Sequence, residues 1–233
     1  MMIMPETKSP LLQISQLTIR QKENILFKNF NLVIGENGDK RDNPDVNGDR
    51  LGIYAPTGTG KTSLLNWIAG IMPQGDALQI EGKLEKSEKL TISYVFQEPR
   101  LIPSVTVLKN VMLPLERVGE NTKSGKKEVA EKARTMLEKL FLDDKLDCMP
   151  EKLSGGEKQR ASIARAFTYP GKLLLMDEPF HSQDDEKRGL LIEITKELVE
   201  KEKRALIIIS HNKEDLVELG CRIITEKDFI CRD

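Results

Sequence analysis

Leu51-Gly-Ile-Tyr-Ala55-Pro-Thr-Gly-Thr-Gly60-Lys-Thr-Ser63 runs from a short apolar strand pattern through a glycine-rich turn into a helical pattern that Gly70 can close. The turn fits G-x-x-x-x-G-K-[ST], with Ala55 in place of the first glycine. Glycines let backbone N–H groups converge on phosphate oxygens, and the helix N-terminus adds the positive end of its dipole. Pro56, Thr57, Gly58, Thr59, Gly60, Lys61, Thr62 and Ser63 are the candidate phosphate cradle. Lys61 brings a point charge for the β- and γ-phosphates, and Thr62 a hydroxyl for Mg²⁺. The pattern alone also arises by chance, so the rest of the chain must support it.

Leu173-Leu-Leu-Met-Asp-Glu-Pro179 gives that support. Taken alone it is a core strand followed by a polar turn. Beside a phosphate loop it has a second meaning, because open α/β sheets bind ligands at the carboxyl ends of their strands. Asp177 is placed to hold Mg²⁺ through water as the acidic partner of Thr62, and Glu178 to orient or deprotonate the attacking water. Downstream, helical and buried-strand patterns alternate: Gly156–Thr168, Leu173–Met176, Asp185–Lys203, Ala205–Ser210 and Lys213–Leu219. Such alternation predicts parallel strands joined by crossover helices. Upstream, Leu12–Ile19, Phe30–Ile34, Leu78–Ile80 and Leu90–Phe96 read as strands. Residues 123–142 read as a charged helix with Val129, Ala133, Met136, Leu137, Leu140 and Phe141 along one face.

Leu153-Ser-Gly-Gly-Glu-Lys-Gln-Arg160 opens a helix. Ser154 as N-cap and Glu157 three residues on make a capping box. That explains Ser154 and Glu157 but not two adjacent glycines, which weaken a helix start. Glycines there suit the close approach of a phosphate to the backbone.

With this third motif the chain resembles the ATP-binding subunits of ABC transporters. The likeness spans nearly the whole chain and rests on Ala55–Thr62, Leu153–Glu157, Leu173–Pro179, Gln97 and His211, in order. It implies an α/β fold: a RecA-like P-loop ATPase core with an antiparallel β subdomain (about 1–96 and 170–233) and an inserted α-helical subdomain (about 97–169). It implies that two such subunits pair head to tail, with ATP between the phosphate loop of one and the signature of the other. Ser154, Gly155 and Gly156 then contact nucleotide held by the partner. Gln97 is similar to the glutamine that senses Mg²⁺ and the attacking water, and His211 to the histidine that contacts the γ-phosphate. The resemblance assigns catalysis to Glu178, His211, Gln97 and Lys61, and Mg²⁺ to Thr62, Gln97 and Asp177. It also implies permease partners in a membrane, and indirectly a substrate-binding protein.

Several positions depart from the family's usual pattern. No aromatic residue stands near Arg20 or Gln21, where adenine is usually stacked; an arginine can stack through its guanidinium. Gln183 replaces a common leucine in Phe180-His-Ser-Gln-Asp184, Asn212 stands where Asp is common, and Glu157 where Gln is frequent. The polar segment Gly35–Asp49 is longer than the usual hairpin; its Asn43, Asp45, Asn47 and Gly48 mimic a calcium loop, but Tyr54 occupies the position that requires a bidentate Glu.

Composition bounds the remaining choices. The 233 residues carry 36 Lys+Arg against 37 Asp+Glu, so no basic excess argues for nucleic-acid binding. The longest aliphatic run, Ala205–Ile209, is far short of the roughly 20 residues of a membrane span, and the start lacks a signal-peptide core. Cys148, Cys221 and Cys231 form no metal pattern and read as reduced thiols. The expected place is the cytoplasm, on the inner face of a membrane.

Phe96-Gln-Glu-Pro-Arg-Leu-Ile-Pro103 and Asp177-Glu-Pro-Phe180 are similar to importers of the nitrate, sulfonate and taurine class. The expected function is therefore an ATPase that powers an importer of a small anion. A soluble ABC ATPase, for instance in metal-cluster assembly, uses the same residues and stays open. A small-molecule kinase is disfavoured by the signature and by Glu178.

Overall fold

The computed structural model describes residues 10–35, 49–72, 78–116 and 123–229. The calcium-like residues 43–48 and Cys231 lie outside them. The elements run β1 (Leu12–Gln21), β2 (Asn24–Ile34), β3 (Arg50–Tyr54), α1 (Lys61–Ala69), β4 (Gln79–Lys86), β5 (Ile92–Val95), α2 (Val107–Glu116) and α3 (Lys123–Lys139). They continue with α4 (Gly155–Thr168), β6 (Leu173–Asp177), α5 (Asp185–Glu202), β7 (Ala205–Ile209), α6 (Lys213–Glu218), β8 (Arg222–Thr225) and α7 (Glu226–Phe229).

Two sheets result. An antiparallel sheet has the order β2-β1-β4, and a parallel sheet has the order β5-β6-β7-β3-β8. This is the α/β cassette architecture expected from the motifs. β6 and β7 are continuous apolar runs because both faces of the parallel sheet are covered. Leu174, Met176, Leu206 and Ile208 join a core shared with α2–α5. Leu173, Leu175, Ile207 and Ile209 point the other way, into a core with α1 and the antiparallel sheet. The period of two thus splits each run between two cores.

Register places the site. Val95 pairs with Met176, Met176 with Ile208, and Ile208 with Gly52, so β5, β6, β7 and β3 run level. Being parallel, they end at one edge, and the residues that follow them are Phe96-Gln97, Glu178, Ser210-His211 and the phosphate loop. Gly60 precedes α1 with φ of 84°, and a Cβ there would lie 2.9 Å from Leu26. Glycine is needed both for the torsion and for the approach of β2. At the far end of α1, Gly70 provides a left-handed cap that donates to Trp67 and Asn66 carbonyls.

Three features differ from the sequence expectations. α2 was not expected, because Pro114 and the branched Val107 and Val111 weaken a helical reading; packing on α3 and α4 overrides that weakness. β8 and α7 are too short to show a period. Phe141 leaves the apolar stripe: α3 ends at Lys139, Phe141 takes φ of 58°, and its side chain is exposed. Among the described residues no helix is long and apolar enough to cross a membrane.

Candidate active site

The phosphate loop and the strand ends enclose a cavity of about 260 Å³, walled by Lys61, Thr62, Gln97, Asp177, Glu178 and His211 among others. Lys61 Nζ donates to the carbonyls of Ala55 (2.6 Å) and Pro56 (2.7 Å), folding back over its own loop. Burial lowers its pKa, while Glu178 and Asp177 oppose that shift. Thr59 Oγ1 also donates to Pro56 O, so the loop is wound from within.

Thr62 Oγ1 donates to Asp177 Oδ2 at 2.7 Å, joining the phosphate loop to the end of β6. A hydroxyl beside a carboxylate is a hard-oxygen donor set that suits Mg²⁺, which takes few protein ligands and completes its shell with water and phosphate oxygens. Among the described residues there is no cluster of three or more His, Cys, Asp or Glu for an all-protein metal cage. Burial raises the pKa of Asp177, against the pull of the Thr62 hydroxyl and Lys61.

Glu178 is the most constrained residue of the site. Its φ of 48° lies in the left-handed region, which costs a non-glycine residue about 1–3 kcal/mol. Its N–H donates to Ile209 O at 3.1 Å, and its Oε2 accepts the His211 backbone N–H at 3.1 Å. Oε1 lies 3.2 Å from His211 Nε2 but has no hydrogen-bond partner, so this oxygen is a buried acceptor without a donor. Burial pushes the carboxyl up to about 7, the His211 amide opposes it, and Asp177 adds to it. A carboxylate with a free lone pair and a pKa near neutrality is suited to orienting and deprotonating water. The His211 ring is partly exposed, 3.5 Å from Thr57 Oγ1, and burial followed by the charge of Lys61 lowers its pKa.

The fold therefore brings together the phosphate loop, Gln97, Asp177, Glu178 and His211. Ser154, Gly155 and Gly156 are elsewhere, at the start of α4, and none of them lines the cavity. The capping box is formed: Ser154 Oγ accepts Glu157 N–H at 3.2 Å, and Glu157 Oε2 accepts Ser154 N–H at 2.8 Å. A Cβ on Gly155 would meet open space, whereas one on Gly156 would lie 2.8 Å from the Ser182 carbonyl. Gly156 thus has a packing reason within the chain, and Gly155 has none. Arg20 is held by Glu81 at 3.1 Å, while Gln21 and Leu26 line the cavity.

Sequence reading missed the residues that hold these groups. Buried Asp215 takes two hydrogen bonds from Arg188, at 3.0 and 2.8 Å, and one from Ser210 Oγ at 2.9 Å. Ser210 Oγ in turn accepts Asn212 N–H, which fixes the turn carrying His211. Gln159 donates to Phe96 O, and Arg165 to Pro99 and Arg100 carbonyls, so α4 clasps the segment around Gln97. Only the nearness of Ser210 to His211 hinted at any of this.

A phosphate loop at the carboxyl edge of a parallel sheet, with Thr62 bonded to Asp177 and the buried carboxyl of Glu178 beside it, defines a P-loop ATPase cassette. The chain belongs to the ABC transporter family, matching it over residues 46–181. It is 36% identical over 178 residues to an aliphatic sulfonates import ATP-binding protein of Nocardia farcinica, covering 76% of this chain and 66% of that protein. It is 33% identical to a sulfate/thiosulfate import ATP-binding protein of Halalkalibacterium halodurans, covering 76% of this chain and 51% of that one. The chain thus spans about half to two-thirds of the length of these curated relatives. A dimeric ATP-binding cassette solved in a post-hydrolysis state with ADP and Pi superposes with a TM-score of 0.74, at 28% identity, covering 92% of this chain and 93% of that one.

Proposed function

We propose that this chain is the energy-coupling ATPase of a membrane importer for a small anion such as nitrate or a sulfonate. It works as a pair of cassettes docked under permease subunits at the cytoplasmic face of the membrane. The observation that carries this reading is the split site: one chain gathers Lys61, Thr62, Asp177, Glu178 and His211 around one cavity, while the signature start Ser154–Gly156 stands outside it. A second cassette, facing the opposite way, supplies the missing signature. The anion class rests on the likeness of the 96–103 and 177–180 segments to such importers; the relatives include sulfonate and sulfate importers alongside thiamine and glucose importers.

In this reading Lys61 releases its loop carbonyls to hold the β- and γ-phosphates of ATP. Mg²⁺, when bound, neutralises charge on the phosphate oxygens, and Thr62, Asp177 and Gln97 are the residues to hold it. Glu178 accepts a proton from the attacking water through the face occupied by Oε1, and His211 bonds the γ-phosphate as a neutral imidazole. Electrostatic stabilisation by Lys61 and the partner's signature backbone supplies most of the acceleration.

A larger cavity of about 760 Å³ lies beside Gln97, walled by Phe96, Arg100, Ile102, Leu113, Pro114 and Tyr169 among others. Phe96 stacks on Tyr94, with centroids 4.0 Å apart, and the Arg100 guanidinium covers it at 4.2 Å. Its apolar walls and exposed Ile102 suit a helix presented by a permease, and occupancy would be felt at Gln97 through the same short segment. The test is a pull-down of tagged protein from detergent-solubilised membranes of its host. A multi-span membrane protein recovered in near-equal amount is expected; recovery of soluble partners alone, with none of the chain in the membrane fraction, would overturn the transport reading in favour of a soluble cassette ATPase.

A further inference from the structure

The loop after Glu178 is closed on itself: His181 N–H donates to Glu178 O at 3.4 Å and Gln183 N–H to Phe180 O at 3.2 Å. Buried Phe180 anchors its middle, and Asp184 ends it by capping α5. Gln183 adds a polar tie from this loop to α4. Gln183 Nε2 donates to the Gly156 carbonyl at 3.0 Å, and Gln183 Oε1 accepts from Arg160 Nη1 at 3.0 Å. Buried Arg160 also donates through Nε to Leu140 O at 3.0 Å, just past the end of α3.

The contact is tight as well as polar, since any Cβ on residue 156 would strike the Ser182 carbonyl at 2.8 Å. Its chemistry calls for an amide: one neighbour is an acceptor and the other a donor, and both fix which way the amide faces. An apolar side chain of similar length would leave a largely buried guanidinium short of an acceptor. The first turn of α4, with Ser154 and Gly155 at its tip, is thereby fastened to the strained turn that begins at Glu178.

We infer that Gln183 is a positioning residue for hydrolysis. It holds the signature turn, which serves the site across the dimer, in fixed relation to the catalytic carboxylate of its own chain. This rests on the split-site reading above.

The test uses the full chain. Gln183→Leu removes both hydrogen bonds, and Gln183→Glu keeps an acceptor for Arg160 but has no donor for Gly156. Glu178→Gln is a control on the site itself. Steady-state ATP hydrolysis, thermal unfolding and amide hydrogen exchange are measured on each. Gln183→Leu is expected to lower kcat about 5–10-fold with KM for ATP within about twofold, the size of one or two hydrogen bonds lost from the transition state. Exchange at residues 155–160 should rise about tenfold while α5 is unchanged, and Tm should fall by no more than about 4 °C. Gln183→Glu should fall between parent and Gln183→Leu, and it carries the kinetic test alone if the leucine variant does not fold. A kcat within twofold of the parent, or a loss that follows Tm with exchange raised throughout the chain, would overturn the inference. Undiminished hydrolysis by Glu178→Gln would instead overturn the reading of the site beneath it, and the inference with it.

Discussion

The carboxyl edge of the parallel sheet and the N-terminus of α4 are built by opposite means. At the sheet edge functional groups are joined across elements distant in sequence: Thr62 to Asp177, and the His211 amide to Glu178. At the start of α4 the polar groups satisfy one another within four residues, Ser154 with Glu157 and Glu157 with Ser154. The first region is a site assembled by tertiary structure. The second is a locally capped helix start, held from outside by Gln183 alone among the polar contacts described above, with open space where a Cβ on Gly155 would stand. That this surface serves a neighbouring cassette is the part of the proposed function the comparison puts at risk.

The sharpest way to break this comparison is to remove one group from each region. Glu178→Gln should cut kcat by about 10²–10³-fold, the usual worth of a general base, while ATP still binds and holds two chains together. Turnover assays with light scattering check both. Ser154→Arg should lower hydrolysis more than tenfold yet leave nucleotide affinity of the monomer unchanged, because the blocked surface is not its own; equal loss of monomer binding, read by a fluorescent ATP analogue, would place the signature in the wrong site.

Acidity sharpens the contrast further: burial raises Asp177 and Glu178 at the sheet edge, whereas the Ser154 N–H lowers Glu157 at the start of α4. With burial pushing Glu178 up to about 7 in the nucleotide-free chain, its ionised fraction and hence kcat/KM should rise about tenfold from pH 6 to pH 8. Stability moves the other way. The folded pKa lies above the unfolded value of 4.5, so ionisation costs nothing below that pH; the cost grows between 4.5 and 7 and is complete above 7. Without nucleotide, Glu178→Gln should therefore stabilise the chain by up to about 3 kcal/mol at pH 8 and hardly at all at pH 4.5, by denaturant titration. The smallest effect separates two neighbours in α4. Gly156→Ala should destabilise by about 1–3 kcal/mol through its clash with Ser182 O, while Gly155→Ala should stabilise by about 0.5 kcal/mol.

Much of this was legible beforehand. The phosphate loop, β6 and β7 carry local signals: glycines at fixed spacing, and apolar runs that end in acids or histidine. Their meeting at one edge follows from parallel order. α2 was hidden because Pro114 interrupts its pattern, and only packing against α3 and α4 sustains it. Arg160, Arg188 and Asp215 were silent because their roles depend on partners 20 or more residues away. Gln183 stood out only as a departure from the leucine common in the family, and its amide gained a meaning once Gly156 and Arg160 were seen beside it.

Glu178 combines a left-handed backbone with a buried, reluctantly ionised side chain. Two selections applied to this chain would therefore collide at that position. A library sorted for heat resistance should enrich Gly, Asn or Gln there, each easing the torsion, the charge or both. A library sorted for ATP hydrolysis should purge the same variants. Residue 178 would mark a conflict between durability and work, visible in sequencing counts before any enzyme is purified.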